Sequence, residues 1–273
     1  MNGLIALNKV FKKYRIWENP ITREVYSRLY FLYKRHFEDV NELILKSYPN
    51  FLKKGNVLDI GANIGYTAIT FGNRLRESPY KVYAFEPEPG NFRELQRNIG
   101  KFSLEGFVET FLMAVSDTEE EKVLFLSNES DADHRIFNQK TVPAVFEKKI
   151  LVQSIRVDDF VLKKSKSSHF PISLMKIDVQ GHELQVLRGA EQTLRDNPDV
   201  VVIAEYSPSM MTEMGMSIKS FFDFFKENNF LVYKFEKKIG IRQVEYAKIL
   251  NWVPKRSYED LIFSRREENI KCG

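Results

Sequence analysis

The chain has 273 residues, 43% of them hydrophobic, enough for one substantial domain and an extension. Its 41 basic and 37 acidic residues leave a net charge of +4, too balanced for a dedicated nucleic-acid binder. No apolar run reaches the roughly 18 residues of a membrane-spanning helix, and the amino terminus lacks a signal-peptide pattern. A single cysteine, Cys272, allows neither a disulfide framework nor a cysteine metal cluster within one chain, so a cytoplasmic protein is expected.

Residues 1–55 place Tyr26, Leu29, Tyr30, Leu32, Tyr33 and Phe37 at roughly helical spacing. The expectation is an N-terminal helical extension. It either packs on the edge of the following domain or serves as a lid or homodimerisation arm over the site built downstream.

Residues 56–273 read as one domain. Val57-Leu58-Asp59-Ile60 is an apolar run broken by an acid; Gly61-Ala62-Asn63-Ile64-Gly65 follows, then a helical period from Gly65 to Arg76 opening with Tyr66. This is a buried strand, a tight turn and a helix start, a unit on which nucleotide-like ligands bind. Gly61 supplies backbone angles closed to other residues. A second strand, Lys81–Phe85, ends at Glu86-Pro87, 27 residues after Asp59. An acid in that place can hold a ribose diol by two charge-assisted hydrogen bonds. The turn lacks the middle glycine of Gly-x-Gly-x-x-Gly, and Asp59 disfavours a phosphate. Those features argue against the alternative of an NAD-dependent oxidoreductase. S-adenosylmethionine, with no phosphate, an ammonium group and a positive sulfur, suits the turn. Asp59, Gly61, Ala62, Asn63, Gly65 and Tyr66 are then expected around its methionine end, with Glu86 and Pro87 at the ribose.

Strand and helix signals continue to alternate: a helix over Glu88–Ile99, a third strand over Val108–Val115, a fourth over Ser173–Asp178, a helix over His182–Arg195, a fifth strand over Val200–Ala204, a helix over Ile218–Asn228, and strands over Phe230–Phe235 and Asp260–Ser264. Such alternation predicts an α/β fold, a mostly parallel sheet with helices on both faces. Ala114 and Val115, closing the third strand, are expected beside the adenine. An insertion, about 116–170, holds two strand-like runs, Lys122–Ser127 and Ile150–Val157, and is expected to form a β-hairpin flap at the ligand-binding edge.

Together Val57–Thr67, Phe85-Glu86-Pro87, Ala114-Val115-Ser116-Asp117, Lys176-Ile177-Asp178-Val179-Gln180-Gly181-His182-Glu183 and Leu187-Arg188-Gly189-Ala190 resemble the FkbM-type methyltransferases. The match covers about residues 55–235, and its most specific piece is Ile177–Glu183. The resemblance implies a class I, Rossmann-like methyltransferase sheet of seven strands, the last antiparallel, and S-adenosylmethionine-dependent transfer to hydroxyls of glycans or natural products.

A hydroxyl acceptor benefits from a general base. Asp178 ends the fourth strand, where it is also expected to contact the cofactor; His182 follows it, and His134 lies in the insertion between Asp133 and Arg135. These three are the catalytic candidates. Asp133, His134, Arg135, Glu205 and Tyr206 are the candidates for holding the acceptor. Asp178 and Glu205 could bind Mg²⁺, but no third ligand is evident, and hydrogen bonding is the reading taken. An N-methyltransferase of protein or nucleic acid is a further alternative. Against a base methyltransferase, Asp178-Val179-Gln180-Gly181 stands where such enzymes carry Asn/Asp-Pro-Pro-aromatic.

Overall fold

The computed structural model describes residues 54–127, 134–137, 146, 148–165, 170–236, 239–250, 252, 254 and 258–270, with Val25, Arg28, Leu29, Phe31, Leu32, Ile44, Leu45 and Leu52. The expected N-terminal helices, as continuous elements, and Asp133 lie outside the described residues.

Every residue of β1 (Asn56–Ile60) is buried, because the strand is covered on both faces. It leads through the glycine turn into α1 (Tyr66–Arg74) and β2 (Val82–Phe85). Next comes α2 (Pro89–Lys101), where Pro89 needs no N–H and Glu88 caps by accepting from the Asn91 amide at 2.6 Å. After β3 (Val108–Phe111) the chain departs from expectation. The predicted third strand breaks at Leu112-Met113, and β4 (Ala114–Val115) leaves the main sheet. It pairs with β6 (Lys148–Ile155), which pairs antiparallel with β5 (Glu121–Leu126), so the expected hairpin is part of a separate three-stranded sheet. Ala114 and Val115 thus stand on that sheet and not at the end of β3.

The chain returns through α3 (Val157–Lys164) to β7 (Ile172–Ile177). The helix expected over His182–Arg195 is two, α4 (Glu183–Arg188) and α5 (Glu191–Asp196). They break at Gly189, which lies against the Ser116 carbonyl; a Cβ there would sit 2.0 Å from that oxygen. Then follow β8 (Val201–Tyr206), α6 (Pro208–Glu213), α7 (Ile218–Glu227), β9 (Leu231–Glu236), β10 (Gly240–Val244), α8 (Tyr246–Ile249) and β11 (Glu259–Ser264).

The main sheet runs β10-β9-β11-β8-β7-β1-β2-β3. The five strands β3, β2, β1, β7 and β8 are parallel, and β11 is antiparallel to β8. This is the expected class I arrangement with one strand more. The eighth, β10, folds back on β9 at the edge; its short, half-exposed Gly-Ile-Arg-Gln-Val sequence carries no apolar run to signal it.

Strand alternation sorts the core into two clusters. Leu58, Ile60, Phe85, Ile177, Val202, Ala204 and Phe263 meet α4, α5 and α7, where Phe221, Phe222, Phe224 and Phe225 are all buried. Val57, Val82, Leu174, Val201 and Ile203 meet α1 and α2 on the opposite face. By the same parity Asp59, Glu86, Lys176, Glu205 and Asp260 share the α1/α2 face, so every one of these charges is placed by period-2 geometry.

Candidate active site

The turn after β1 is held by close backbone approach. Gly61 has φ of +86°, and a Cβ on it would lie 1.9 Å from the Asp178 carbonyl. The Asp178 amide in turn donates to the Ile60 carbonyl at 2.9 Å. The two loops that leave β1 and β7 are therefore in contact through main chain. Asn63 is also left-handed, at φ 50°, and its side chain accepts from the Ile64 amide at 2.7 Å.

Glu86 is 5% exposed and already works inside the protein. One carboxylate oxygen accepts from the Asn63 amide at 2.9 Å and the other from the Glu88 amide at 3.0 Å, so this acid clamps the glycine turn to the end of β2. Burial pushes its carboxyl up to about 7, against those amide bonds. Asp59, 1% exposed, is likewise pushed up to about 7 by burial, with Lys176 opposing and Asp178 adding to the rise. Asp59 Oδ2 is buried and finds no partner among the described residues. Tyr66, first in α1, packs edge-on against Phe31 of the N-terminal segment, ring centroids 5.3 Å apart.

Beyond β7, the loop 178–182 is tied from below by Glu183, whose Oε1 accepts from the amides of Gly181 at 3.0 Å and Val179 at 3.3 Å. This presents Asp178, whose side chain is 35% exposed, with Gln180 Nε2 donating to Oδ1 at 2.8 Å and Lys176 Nζ 3.6 Å from Oδ2. Gln180 also reaches Glu205 Oε1 at 3.4 Å. Glu205 is buried, and its carboxyl is raised well above the usual range by burial, with Asp178 adding. Asp178 and Glu205 do meet at one edge, but the cation among them is Lys176. Among the described residues no group of three His, Cys, Asp or Glu side chains could hold a metal ion.

The histidines divide differently from the sequence expectation. His182 is 2% exposed; Nε2 lies 2.9 Å from Ser116 Oγ, Nδ1 is buried without a partner among the described residues, and burial lowers its pKa to about 4. It fastens α4 to the chain after β4 and is a poor proton acceptor. His134 Nδ1 accepts from the Ser127 amide at 3.1 Å, so the neutral ring's acceptor nitrogen is spent inside the insertion. Arg135 is buried, pairs with Glu213 of α6 at 2.9 Å and lies over the Phe146 ring at 5.2 Å. It clasps the insertion to α6. Tyr206 corrects the expectation of a pocket lining: it is fully buried on the other face of β8 from Glu205, and its hydroxyl donates to the Trp252 carbonyl at 3.3 Å. Sequence reasoning missed Gln180, Glu183, Glu213 and Asp260. The signal for Asp260 was present, an acid opening an apolar strand that returns antiparallel to the edge where Glu205 sits.

A family model described as the methyltransferase FkbM domain matches residues 59–232, more than half of the chain and every loop of this site. The chain belongs to that family.

Among solved structures this FkbM-family chain is similar to a methyltransferase FkbM from Methylobacillus flagellatus KT, at 13% identity over 78% of this chain and 43% of that one, with a TM-score of 0.46. It is also similar to the O-methyltransferase TomG from Streptomyces achromogenes in complex with SAM (10%, 81% and 77%, 0.45). A third is an O-methyltransferase from Bacillus cereus in complex with SAH (13%, 81% and 76%, 0.44). The chain spans less than half the length of the first of these. No curated protein matches it in sequence.

For His182 the expected result is structural. His182→Ala leaves a cavity and strips Ser116 of a partner, and should cost about 2–4 kcal/mol in urea unfolding. Affinity for S-adenosylhomocysteine should hold.

Proposed function

We propose that this chain is an S-adenosylmethionine-dependent O-methyltransferase acting on a hydroxyl of a sugar, a glycan or a small natural product. One observation carries the reading: the buried Asp59 carboxylate, with an oxygen unmet among the described residues, lies beside a glycine turn that Glu86 closes from the next strand. S-adenosylmethionine fits these residues. Its ammonium offers the donor that Asp59 Oδ2 lacks, and its ribose hydroxyls suit Glu86, whose oxygens keep acceptor capacity beyond the two amides. An NAD pyrophosphate would meet two buried acids at the turn instead. When bound, the cofactor supplies an electrophilic methyl carbon on a positively charged sulfur.

The protein's share is positioning and proton management. Glu86 and Gly61 fix the turn against which the cofactor lies. Asp178, presented by the Glu183-tied loop and oriented by Gln180, is the general base: its carboxylate takes the acceptor's hydroxyl proton. Glu205 and Gln180 are placed to orient the acceptor's other hydroxyls. Ala114 and Val115 remain the proposed adenine neighbours, from the small sheet. His134 and Arg135 act through the fold of the insertion. Two observations bear on the N-terminal segment. Phe31 packs on Tyr66, which supports a lid beside the cofactor turn. Val25, Leu29 and Leu32 are exposed at helical spacing, which supports a homodimer through this segment. Among the described residues no helix is long and apolar enough to cross a membrane. A cytoplasmic location is part of the proposal.

Asp178→Asn is expected to lower turnover on the order of 100-fold or more while leaving S-adenosylhomocysteine affinity within about twofold. Methyl transfer onto a panel of sugars, with calorimetry on the same samples, checks both halves. Full turnover in the variant would remove Asp178 from the role.

A further inference from the structure

The strand register sets Asp59 beside Lys176 and Glu205 beside Asp260 on one face of the sheet. Lys176 is the one lysine in that row, with its side chain 3% exposed. Its Nζ lies 2.9 Å from Asp260 Oδ1 on β11, 3.6 Å from Asp178 Oδ2 and 3.5 Å from the Ile177 carbonyl. Desolvating an ammonium to this degree is costly, and it persists only against anions. Burial alone would lower the Lys176 pKa, but Asp260, Asp178 and Glu205 more than offset it, so the side chain stays charged. Among the described residues Asp178 is coupled to three acids, Asp59 from β1, Glu205 from β8 and Glu183 opening α4, with Asp260 beyond Lys176.

We propose that Lys176 is a positioning residue that keeps the Asp178 carboxylate anionic among these acids, and that Asp260 on the adjacent strand draws on the same ammonium and so limits the effect. The inference rests on the reading of Asp178 as the proton acceptor. Its physics is a charge balance. Removing Lys176 takes away the cation and leaves the surrounding acids, with only the neutral Gln180 amide donating to Asp178, which favours its protonated form. Removing the Asp260 charge takes one anion away and leaves Lys176 to Asp178, which favours the anion. The two substitutions therefore act in opposite directions. A merely structural pair would damage the protein in the same direction from either side.

The test is a pH titration of the full chain with ¹³C-carboxyl-labelled aspartate, followed by NMR. The Asp178 signal is assigned by its loss in Asp178→Asn. In Lys176→Met its midpoint should rise by about one pH unit or more, and in Asp260→Asn it should fall. Unmoved midpoints, or shifts of one sign in both variants, overturn the proposal. Should Lys176→Met not fold, Asp260→Asn decides alone: a lower midpoint supports the proposal, and a constant or higher one overturns it. The readout needs no turnover. Calorimetry of the wild-type chain with S-adenosylhomocysteine runs beside it, and failure there counts against the methyltransferase reading while the titration still judges Lys176.

Discussion

Gly61→Ala is expected to cost roughly 3–5 kcal/mol of stability, combining left-handed strain with overpacking. The backbone sits at φ +86°, and the added Cβ would fall 1.9 Å from the Asp178 carbonyl oxygen, a main-chain atom that cannot rotate aside. Relief requires moving the loop after β7 away from the loop after β1, which breaks the bond from the Asp178 amide to Ile60. A domain is stable by only about 5–15 kcal/mol, so much of the margin goes. Urea unfolding measures it, and a loss below about 1 kcal/mol would contradict the close approach. Gly65→Ala should be milder, because the atom in the way is Leu95 Cδ1, the end of a flexible side chain.

Glu86→Ala should act on two quantities at once. Cofactor affinity should fall by roughly 1.5–3 kcal/mol, the range of a hydrogen bond to a charged group. Stability should fall as well, because the Asn63 and Glu88 amides lose their acceptors, at about 1–3 kcal/mol for each left unsatisfied. Calorimetry with S-adenosylhomocysteine and urea unfolding separate the two. Lost stability with unchanged affinity would reduce Glu86 to a clamp for the turn and refute the ribose assignment.

The parts legible in the sequence were those set by local pattern. Asp59 and Glu86 stand at or near the ends of apolar runs that could only be buried strands, and β1 runs over Asn56–Ile60 as expected. The helix expected over Ile218–Asn228 is α7, over Ile218–Glu227, with its four phenylalanines buried. What eluded sequence reading depends on contacts between distant segments. The break at Gly189 answers to Ser116, some 70 residues earlier. The departure of Ala114 and Val115 from β3 answers to their pairing with Ser154 and Ile155. The clasp from Arg135 to Glu213 joins the insertion to a short helix after β8. Tyr206 was recoverable: alternation along β8 puts it on the opposite face from Glu205, in line with Ala204 and Val202.

The central claim is that the β1 turn and Glu86 bind a sulfonium nucleoside. Isothermal titration calorimetry of S-adenosylhomocysteine, repeated across pH 6 to 8, tests it most directly. The account predicts one site whose affinity rises with pH. Asp59 and Glu86, both held near 7 by burial, must shed protons to meet an ammonium and a ribose, so acid competes with the ligand. Heat of binding from NADH and none from S-adenosylhomocysteine at any pH would contradict it.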